Sequence, residues 1–411
     1  MAVPGAIGRG TLVWTISFYL KREAAKEKTR MAPVPVYSMD LNAKRSQGML
    51  PRLRTLMRKA GLEHIIAKDD LTAIKLHFGE LGNTAFVRPL FVRPVVEAIK
   101  KTGGKPFLTD AGTLYVGERG NAVDHLNTAV YNGFGYSSIG APLIIADGLH
   151  GRDEVEVPIE SAHFDTAYIG AALVHANVLV SVAHFKLHEM AGFGGAMKNV
   201  GMGGGSRRGK MAQHSTVSPV VAAEKCIGCG LCLRQCIHGA LSLVDRTEAE
   251  RSPNPKITRL ARVDKEKCVG CAMCLHACKQ GALNVDWSGD ILGFLERMVD
   301  YTAAVLHGKR EKSLFINFLT QISPACDCHS YADAPIVGDI GILAATDPVA
   351  LDKASVDLMN KQPVLSTSCL ARAADTTDKI RAVYPHIPWE HQFAYAEKIG
   401  LGTTDYVIEA I

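Results

Sequence analysis

Residues 177–185 read NVLVSVAHF, an apolar run in which valine occupies every second position of the first six. β-Branched residues favour strands, and a strand that lacks polar alternation is typical of a sheet covered on both faces. Comparable runs are LTAIKLHF (residues 71–78), PFLTDA (106–111) and APLIIADG (141–148). These runs predict a mostly parallel sheet.

Segments with helical periodicity separate the predicted strands. They cover residues 50–62, 94–102 and 122–131, and the first two end at Gly61 and Gly103. Glycine is common just beyond the last residue of a helix because it adopts a left-handed conformation at little cost. Strands that alternate with helices predict an α/β fold, with helices flanking a mostly parallel sheet.

The alternation stops in the middle of the chain and then resumes. A helical pattern at 290–307 and the apolar run LFINFLTQI (314–322) repeat the earlier rhythm. We therefore interpret the middle as a small α+β insert within one α/β domain. The predicted boundaries are 1–30 for a loosely structured N-terminal extension, 31–215 and 291–411 for the α/β domain, and 216–290 for a ferredoxin-like insert.

Composition excludes several classes of protein. The chain has 411 residues, 47% of them apolar, and a formal net charge of +5, which is small for an extended nucleic-acid surface. The apolar run at residues 11–20 is too short to cross a membrane, which takes about 20 residues. We expect neither nucleic acid binding nor a membrane span.

Eight of the eleven cysteines lie in two runs of identical spacing, CIGCGLCLRQC (226–236) and CVGCAMCLHAC (268–278). Such close spacing favours thiolate ligation of metal over disulfides, so we expect a reducing, cytoplasmic compartment. Zinc sites use C-x2-C pairs at wider separation, which does not account for the same four-cysteine spacing twice. In two-cluster ferredoxins, the fourth cysteine of each run ligates the other [4Fe-4S] cluster.

The expected assignment to two [4Fe-4S] clusters is therefore crossed. It places Cys226, Cys229, Cys232 and Cys278 on one cluster, and Cys268, Cys271, Cys274 and Cys236 on the other. Residues 224–286 resemble a bacterial two-cluster ferredoxin domain.

Candidate functional residues also lie outside the insert. KLHFGELGN (75–83) places His77 and Glu80 after a predicted strand, at the edge where open α/β sheets bind ligands. The alternative is a capped strand end with surface charges. In SPACDCHS (323–330), Cys326 and Cys328 are candidates for metal binding or for a redox thiol pair. On an extended segment these two side chains converge, whereas His329 points to the other face.

The stretch at residues 184–214 contains eight glycines, which neither a helix nor a strand favours. On a helix, His184 and His188 would share one face and could hold a metal; the alternative is a solvated pair. Lys186 lies between them. The glycines and Lys198 suit a loop that holds a phosphate or carboxylate, and the alternative is a flexible basic linker. Asp347, before Pro348, is expected to cap a helix.

KLHFGELGN, MKNVGMGGGSRRGK and CDC, in this order around a ferredoxin-like segment, resemble the DUF362 family from about Tyr37 onward. The resemblance implies an iron–sulfur protein of anaerobic or facultative metabolism and implies no particular reaction.

Three functions remain open from the sequence. The first is electron transfer between a ferredoxin-like donor and an acceptor enzyme. The second is an oxidoreductase, in which electrons reach a small anionic substrate in an α/β pocket. The third is a non-catalytic, cluster-bearing sensor or assembly factor. The pocket of the second would be lined by His77, Glu80, His184, Lys186, His188, Lys198, Cys326 and Cys328.

Overall fold

The structure is a computed structural model. It describes residues 32–42, 47–115, 117–214, 219–236, 238–252, 254–268, 273–284, 290–373 and 375–411. The predicted N-terminal extension (1–30) and the predicted ligand Cys271 lie outside the described residues.

The described residues form sixteen strands and fourteen α-helices. The strands are β1 (Val34–Asp40), β2 (Leu71–Leu76), β3 (Lys105–Asp110), β4 (Leu143–Ile145), β5 (Glu154–Pro158), β6 (Thr166–Gly170), β7 (Val178–His184), β8 (Lys186–His188), β9 (Gly192–Gly194), β10 (Val220–Val221), β11 (Leu241–Asp245), β12 (Arg259–Val263), β13 (Leu283–Asn284), β14 (Ser313–Leu319), β15 (Gly341–Ala345) and β16 (Tyr406–Ala410). The helices are α1 (Met49–Lys59), α2 (Leu62–Ile65), α3 (Pro89–Thr102), α4 (Ala122–Tyr131), α5 (Tyr136–Ile139), α6 (Ala171–His175), α7 (Ala196–Gly204), α8 (Arg207–His214), α9 (Leu231–Gln235), α10 (Met273–Ala277), α11 (Ile291–Val305), α12 (Pro348–Lys361), α13 (Lys379–Val383) and α14 (His391–Lys398). None of these helices combines the length and the apolar character that crossing a bilayer requires.

Eight strands form one large sheet in the order β16-β1-β15-β14-β7-β2-β3-β4. The strand pairs are parallel except where β15 pairs with β1 and with β14. The predicted α/β class with a mostly parallel sheet is confirmed. Every residue of β7 is buried, as the run without polar alternation predicts for a strand covered on both faces.

Successive residues of the central strands pack into two different cores. Val180 and Val182 of β7 join a core with α1, α3 and α4, whereas Leu179 joins a second core with α7, α11 and α12. This division follows from the two-residue period of a strand, which points neighbouring side chains to opposite faces. Helices therefore cover both faces of the sheet.

Two helix starts test the local sequence signals. Asp347 caps α12 as predicted, since its carboxylate accepts hydrogen bonds from the backbone N–H groups of Val349 and Ala350. The helix expected from residue 94 begins at Pro89 instead, and Pro94 lies within it. Pro89 is the better start because proline at the first helical position sacrifices no intrahelical hydrogen bond.

The expectation that the glycine-rich stretch is neither helix nor strand is wrong. It forms β8, β9, α7 and α8. A Cβ on Gly201 of α7 would lie 2.3 Å from the Met298 carbonyl oxygen of α11, and one on Gly209 of α8 would lie 2.2 Å from the Tyr168 carbonyl oxygen. These glycines allow close packing, which offsets the roughly 1 kcal/mol that each costs within a helix.

Residues 219–284 form short pairs of their own. Among the described residues, β10 pairs with β13, β11 pairs with β12, and none of these strands joins the large sheet. The helices α9 and α10, one from each cysteine run, pack together. Along the chain, the elements form two strand–helix–strand units, β10-α9-β11 and β12-α10-β13. The boundaries of the insert and its ferredoxin-like nature stay predictions.

Candidate functional site

A cavity of about 510 Å³ opens beside the carboxyl ends of β2, β3, β7 and β14, which run parallel to one another. The polar residues that follow these strands therefore meet at one edge of the sheet, as in other open α/β sheets. Its described lining residues include five basic side chains and two carboxylates. They are Lys75, Arg119, Lys186, Lys198 and Lys210, and Asp110 and Glu189.

Residues 326–329 form a turn at one wall of this cavity. The His329 N–H donates to the Cys326 carbonyl at 3.1 Å, so the segment is a turn and not the extended stretch that was expected. Cys326 and Cys328 still converge, and both line the cavity. His329 lines it too, contrary to the expectation for an extended segment, because the turn brings its side chain back.

Asp327, at the centre of the turn, faces away from the cavity lumen and anchors the turn to the sheet. Its carboxylate lies 2.8 Å from His184 Nδ1 and 3.0 Å from Lys186 Nζ, and it is buried. Burial raises the pKa of this carboxyl, but the charges of His184 and Lys186 outweigh burial and hold the pKa below its usual range. The loop after β2 also joins the turn, since the Glu80 N–H donates to the Asp327 carbonyl.

The two thiols of the turn are not equivalent. A hydrogen bond from Cys328, together with the charge of Lys198 and a hydrogen bond with His188, holds the pKa of Cys326 well below its usual range, although burial opposes this. The hydrogen bond with Cys326 and burial raise the pKa of Cys328 well above its usual value. Cys326 is therefore the more acidic of the two thiols.

His188 holds a defined orientation next to these thiols. Its Nδ1 accepts hydrogen bonds from the backbone N–H groups of Met190 at 3.1 Å and Ala191 at 3.2 Å. A ring nitrogen that accepts an N–H carries no proton, so the proton of the neutral ring lies on Nε2. His188 is thus arranged as a hydrogen-bond donor from Nε2.

A second buried ion cluster involves residues of β2 and the end of β3. Lys75 Nζ lies 3.0 Å from Asp110 Oδ1, and Arg119 lies 3.1 Å from Glu80 and 3.4 Å from the other oxygen of Asp110. Burial raises the pKa of Asp110, but the charge of Lys75 and its neighbours outweighs this and keeps it ionised. Gly203 of α7 leaves room for Lys75, because a Cβ there would lie 2.4 Å from Nζ.

Burial also lowers the pKa values of other groups that line the cavity. Burial, with the charge of Arg119, lowers the pKa of His77 well below its usual value, and its Nδ1 accepts the Gly79 N–H at 3.0 Å. His77 is therefore neutral with a proton on Nε2. Burial also lowers the pKa of Lys210 to about 8, although the charge of Asp147 opposes this. Lys210 can therefore gain or release a proton near neutral pH.

The structure brings six of the eight predicted pocket residues to the cavity. They are His77, Lys186, His188, Lys198, Cys326 and Cys328. Glu80 and His184 are buried outside its lining, where they hold Arg119 and Asp327 in place. His184 and His188 share no helix face and are not a solvated pair, because they belong to the strands β7 and β8 and are buried.

The predicted anion-binding loop is also corrected. The first backbone N–H groups of α7, on Ala196 and Met197, donate to the carboxylate of Asp352 at 2.7 and 2.9 Å. An internal carboxylate therefore occupies the position expected for a bound anion. Lys198 and Lys210 do reach the cavity, whereas Arg208 stacks on the Tyr168 ring at 3.6 Å.

Sequence reasoning missed Asp110, Arg119 and Asp327. Asp110 and Asp327 had a usable signal, since one ends a predicted strand in PFLTDA and the other stands between the two cysteines of CDC. Arg119 lies in a stretch without regular structure, and no local pattern identifies it.

Two groups of side chains in this region have metal-ligating atoms within 4.8 Å of one another. One is His188, Cys326 and Cys328, and the other is Glu189, Cys328 and His329. Thiolate and imidazole donors suit zinc and related ions.

The cysteine runs form a second candidate site. Cys226, Cys229, Cys232 and Cys278 line one small cavity, so three cysteines of the first run meet the fourth of the second. Backbone N–H groups point at sulfur: Ala240 donates to Cys236 at 3.3 Å, Ala282 to Cys278 at 3.2 Å, and Ala261 to Cys226 at 3.4 Å. This donor set fits a [4Fe-4S] cluster, whose anionic sulfurs accept such hydrogen bonds. For the other group, Cys236, Cys268 and Cys274 are described.

The two sites share a hydrophobic cluster. Cys226, Cys232 and Cys274 pack with Leu260, Met211 and Leu114, all of which are buried. Leu114 also lines the large cavity. Leu114 therefore belongs both to the hydrophobic cluster of the cysteines and to the lining of the polar cavity.

Comparisons with known proteins identify a family and remote structural likenesses. Residues 72–357 match the family described as "Domain of unknown function (DUF362)". No curated protein matches the sequence. The chain is similar to the lactate racemase apoprotein of Thermoanaerobacterium thermosaccharolyticum, with 14% identity and a TM-score of 0.29 over 62% of this chain. It spans about half of that protein, 49%.

Proposed function

The chain belongs to the DUF362 family, and we propose that it is an iron–sulfur protein that binds two [4Fe-4S] clusters and transfers electrons. The observation that carries this proposal is the small cavity shared by Cys226, Cys229, Cys232 and Cys278. It combines three cysteines of one run with the fourth of the other, which is the exchange of ligands that two-cluster ferredoxins make.

Each proposed cluster has ligands from both runs. The first would be held by Cys226, Cys229, Cys232 and Cys278, and the second by Cys236, Cys268, Cys271 and Cys274. The N–H groups of Ala240, Ala261 and Ala282 stabilise negative charge on the sulfurs, which raises the reduction potential. Bound clusters of this kind supply electrons one at a time.

Such a function implies a redox partner protein, either a ferredoxin-like donor or an acceptor enzyme. It also implies a reducing compartment, and we propose the cytoplasm, because the eight ligands must stay thiolates.

The proposal is tested by anaerobic reconstitution of the full chain, with iron and sulfide measured per chain. We expect about eight of each, from two clusters of four irons. Cys226→Ser should lower both values to about four, and Cys369→Ser, which changes a cysteine outside the runs, should leave them unchanged. About four irons in the unaltered chain, or zinc in place of iron, would contradict the proposal.

A second candidate is a reductase that passes these electrons to a small anionic substrate in the large cavity. Leu114 favours it, because this side chain belongs to the hydrophobic cluster that contains the cysteines and also lines the cavity. Lys186, Lys198 and Lys210 would attract the anion, and the Nε2–H of His77 would direct a hydrogen bond at it. An electron carrier alone needs no such cavity.

Binding of a small anion separates these functions. Isothermal titration of the reconstituted chain with sulfate should give binding that weakens in Lys198→Met and persists in Arg208→Met, whose cation lies on Tyr168. An absence of sulfate binding would contradict the reductase and leave electron transfer as the proposed function. If the reconstituted chain neither accepts nor donates electrons, the remaining function is a non-catalytic sensor or assembly factor.

A further inference from the structure

A reductase of this kind needs a group that converts single electrons into the electron pair that most substrates accept. The cavity wall that carries Cys326 and Cys328 offers such a group. The two cysteines are partly or wholly buried and line the cavity, their sulfur atoms lie within 4.8 Å of each other, and only Asp327 separates them in sequence. Neither cysteine belongs to the cysteine runs at residues 226–236 and 268–278.

We propose that Cys326 and Cys328 form a reversible dithiol–disulfide couple, which is the two-electron centre of the cavity. The thiol couple rests on the geometry of the turn, and its electron supply rests on the function proposed above. Reduction breaks the S–S bond and consumes two electrons and two protons, giving two thiols, one of which can release its proton. Oxidation re-forms the bond and passes the two electrons and two protons to the small anionic acceptor bound in the cavity. The reductant is of the iron–sulfur class and supplies one electron at a time.

The turn holds the two sulfurs together. The hydrogen bond from the His329 N–H to the Cys326 carbonyl closes it, and the carboxylate of Asp327 fixes its centre to His184 and Lys186. The loop at residues 79–83 packs against the next residues, since a Cβ on Gly82 would lie 2.6 Å from the Ser330 carbonyl oxygen. A disulfide requires Cβ atoms about 3.5–4.5 Å apart, so a held turn favours its formation.

The neighbours of Cys326 favour its role as the attacking thiolate. The two sulfur atoms and a ring nitrogen of His188 lie within 4.8 Å of one another. Thiol–disulfide exchange begins with a thiolate, and hydrogen bonds to sulfur increase the thiolate fraction. Lys198, on the first turn of α7, adds a positive charge.

The orientation of His188 favours this role over a metal site. Its Nδ1 already accepts N–H groups from Met190 and Ala191, so Nε2 carries the proton. A ring that ligates a metal through one nitrogen usually donates a hydrogen bond from the other. Here the other nitrogen is an acceptor, so a proton on Nε2 and not a metal ion satisfies the ring.

The decisive experiment is a thiol titration of the full, reconstituted chain. The protein is equilibrated anaerobically in glutathione buffers of increasing oxidised fraction and quenched with acid and an alkylating agent. Mass spectrometry of the peptide that contains both cysteines then follows the reaction. We expect this peptide to lose two hydrogens in one transition, whereas the peptide with Cys369 gains mixed disulfide with glutathione. A Cys326–Cys328 peptide that stays reduced while Cys369 reacts would overturn the proposal.

Two variants make the test specific. In Cys328→Ser, the peptide should form a mixed disulfide at Cys326 and lose the internal bond. In His188→Phe, alkylation of Cys326 should slow by about tenfold, because the imidazole beside the two thiols is removed. The matched control is His307→Phe at an exposed histidine, which should leave the rate unchanged. An unchanged rate in His188→Phe would contradict the role of Cys326 as the stabilised thiolate.

Metal content and electron supply are measured on the same samples. One equivalent of zinc that is lost in both Cys326→Ser and Cys328→Ser would make the site a metal centre and overturn the couple. The electron supply is tested with reduced methyl viologen, a one-electron donor, by counting thiols over time. We expect the fast reduction of the disulfide to be lost in Cys226→Ser. Equal rates of disulfide reduction in Cys226→Ser and in the unaltered chain would refute the electron supply by the clusters but not the thiol couple. A low iron content in a chain that still forms the disulfide would refute only the function proposed above.

Discussion

His184 Nδ1 lies 2.8 Å from Asp327 Oδ1, although 143 residues separate them in sequence. The other oxygen of Asp327 lies 3.0 Å from Lys186 Nζ. One buried carboxylate thus joins the end of β7 to the turn that carries Cys326 and Cys328. Because Cys326 and Cys328 line the cavity, this ion cluster holds one part of the cavity wall to the sheet.

Asp327→Asn should lower the free energy of unfolding by about 3 kcal/mol, because it leaves Lys186 charged and buried without its partner. The pKa of Asp327 is lower in the folded chain than in the unfolded chain, so its contribution is present above the unfolded pKa and is lost as pH falls. Urea unfolding at pH 7 and at decreasing pH measures both effects.

The control for this change is Asp165→Asn, at an exposed carboxylate, which should alter stability by no more than about 0.5 kcal/mol. Equal stability of the two variants would mean that the ion cluster holds nothing in place. Cys326 in Asp327→Asn should also react faster with alkylating agents, because the turn is no longer anchored.

Periodicity predicted the sheet well because the information is local. The run of apolar residues in β7 and the Asp347–Pro348 start of α12 each act within a few residues. The glycine-rich stretch was predicted wrongly because glycine permits both loops and close helix packing. Whether Gly201 belongs to a loop or a helix depends on Met298, nearly 100 residues away, which no local pattern records.

The candidate site likewise combines residues that local sequence patterns predict with residues that they do not. Spacing alone suggested that Cys226, Cys229 and Cys232 act together, and CDC suggested a pair of converging thiols. The partners of Asp327 and the pairing of Arg119 with Glu80 cross long stretches of chain, so they could be read only from the folded structure. The iron content and the boundaries of the insert stay predictions.

Paired substitutions should reveal the crossed ligand assignment. Cys236→Ser and Cys268→Ser are predicted to disable the same cluster, so the double variant should retain about four irons, as each single variant does. Cys226→Ser combined with Cys236→Ser should lose both clusters and bind almost no iron, although both residues belong to one run. Iron analysis after anaerobic reconstitution measures this. The reverse pattern would show that each run holds its own cluster.

Lys210 should make anion binding depend on pH. Burial lowers its pKa to about 8, so the cavity carries this positive charge below pH 8 and loses it above. Sulfate keeps its charge across this range, and its affinity should fall by about tenfold between pH 7 and pH 9, or about 1.4 kcal/mol. Isothermal titration measures the affinity at each pH.

In Lys210→Met the affinity at pH 7 should be low and should change little up to pH 9. Arg208→Met is the control, since this cation lies on the Tyr168 ring, and it should keep the dependence seen in the unaltered chain. If the sulfate affinity of Lys210→Met still depends on pH, another group is responsible, such as Lys75, whose pKa burial also lowers.

Gly201→Ala tests whether glycine in α7 serves packing. A Cβ at this position would lie 2.3 Å from the Met298 carbonyl oxygen and 2.5 Å from Thr302 Oγ1, so α7 and α11 would have to separate. Overpacking of this kind typically costs about 1–3 kcal/mol, more than alanine gains in helix propensity. Urea unfolding should show this loss. Gly338→Ala is the matched control, because nothing lies within 4 Å of a Cβ there, and it should change stability by no more than about 0.5 kcal/mol. A stabilised Gly201→Ala would mean that α7 packs more loosely than the described contacts require, and the glycines would then need another explanation.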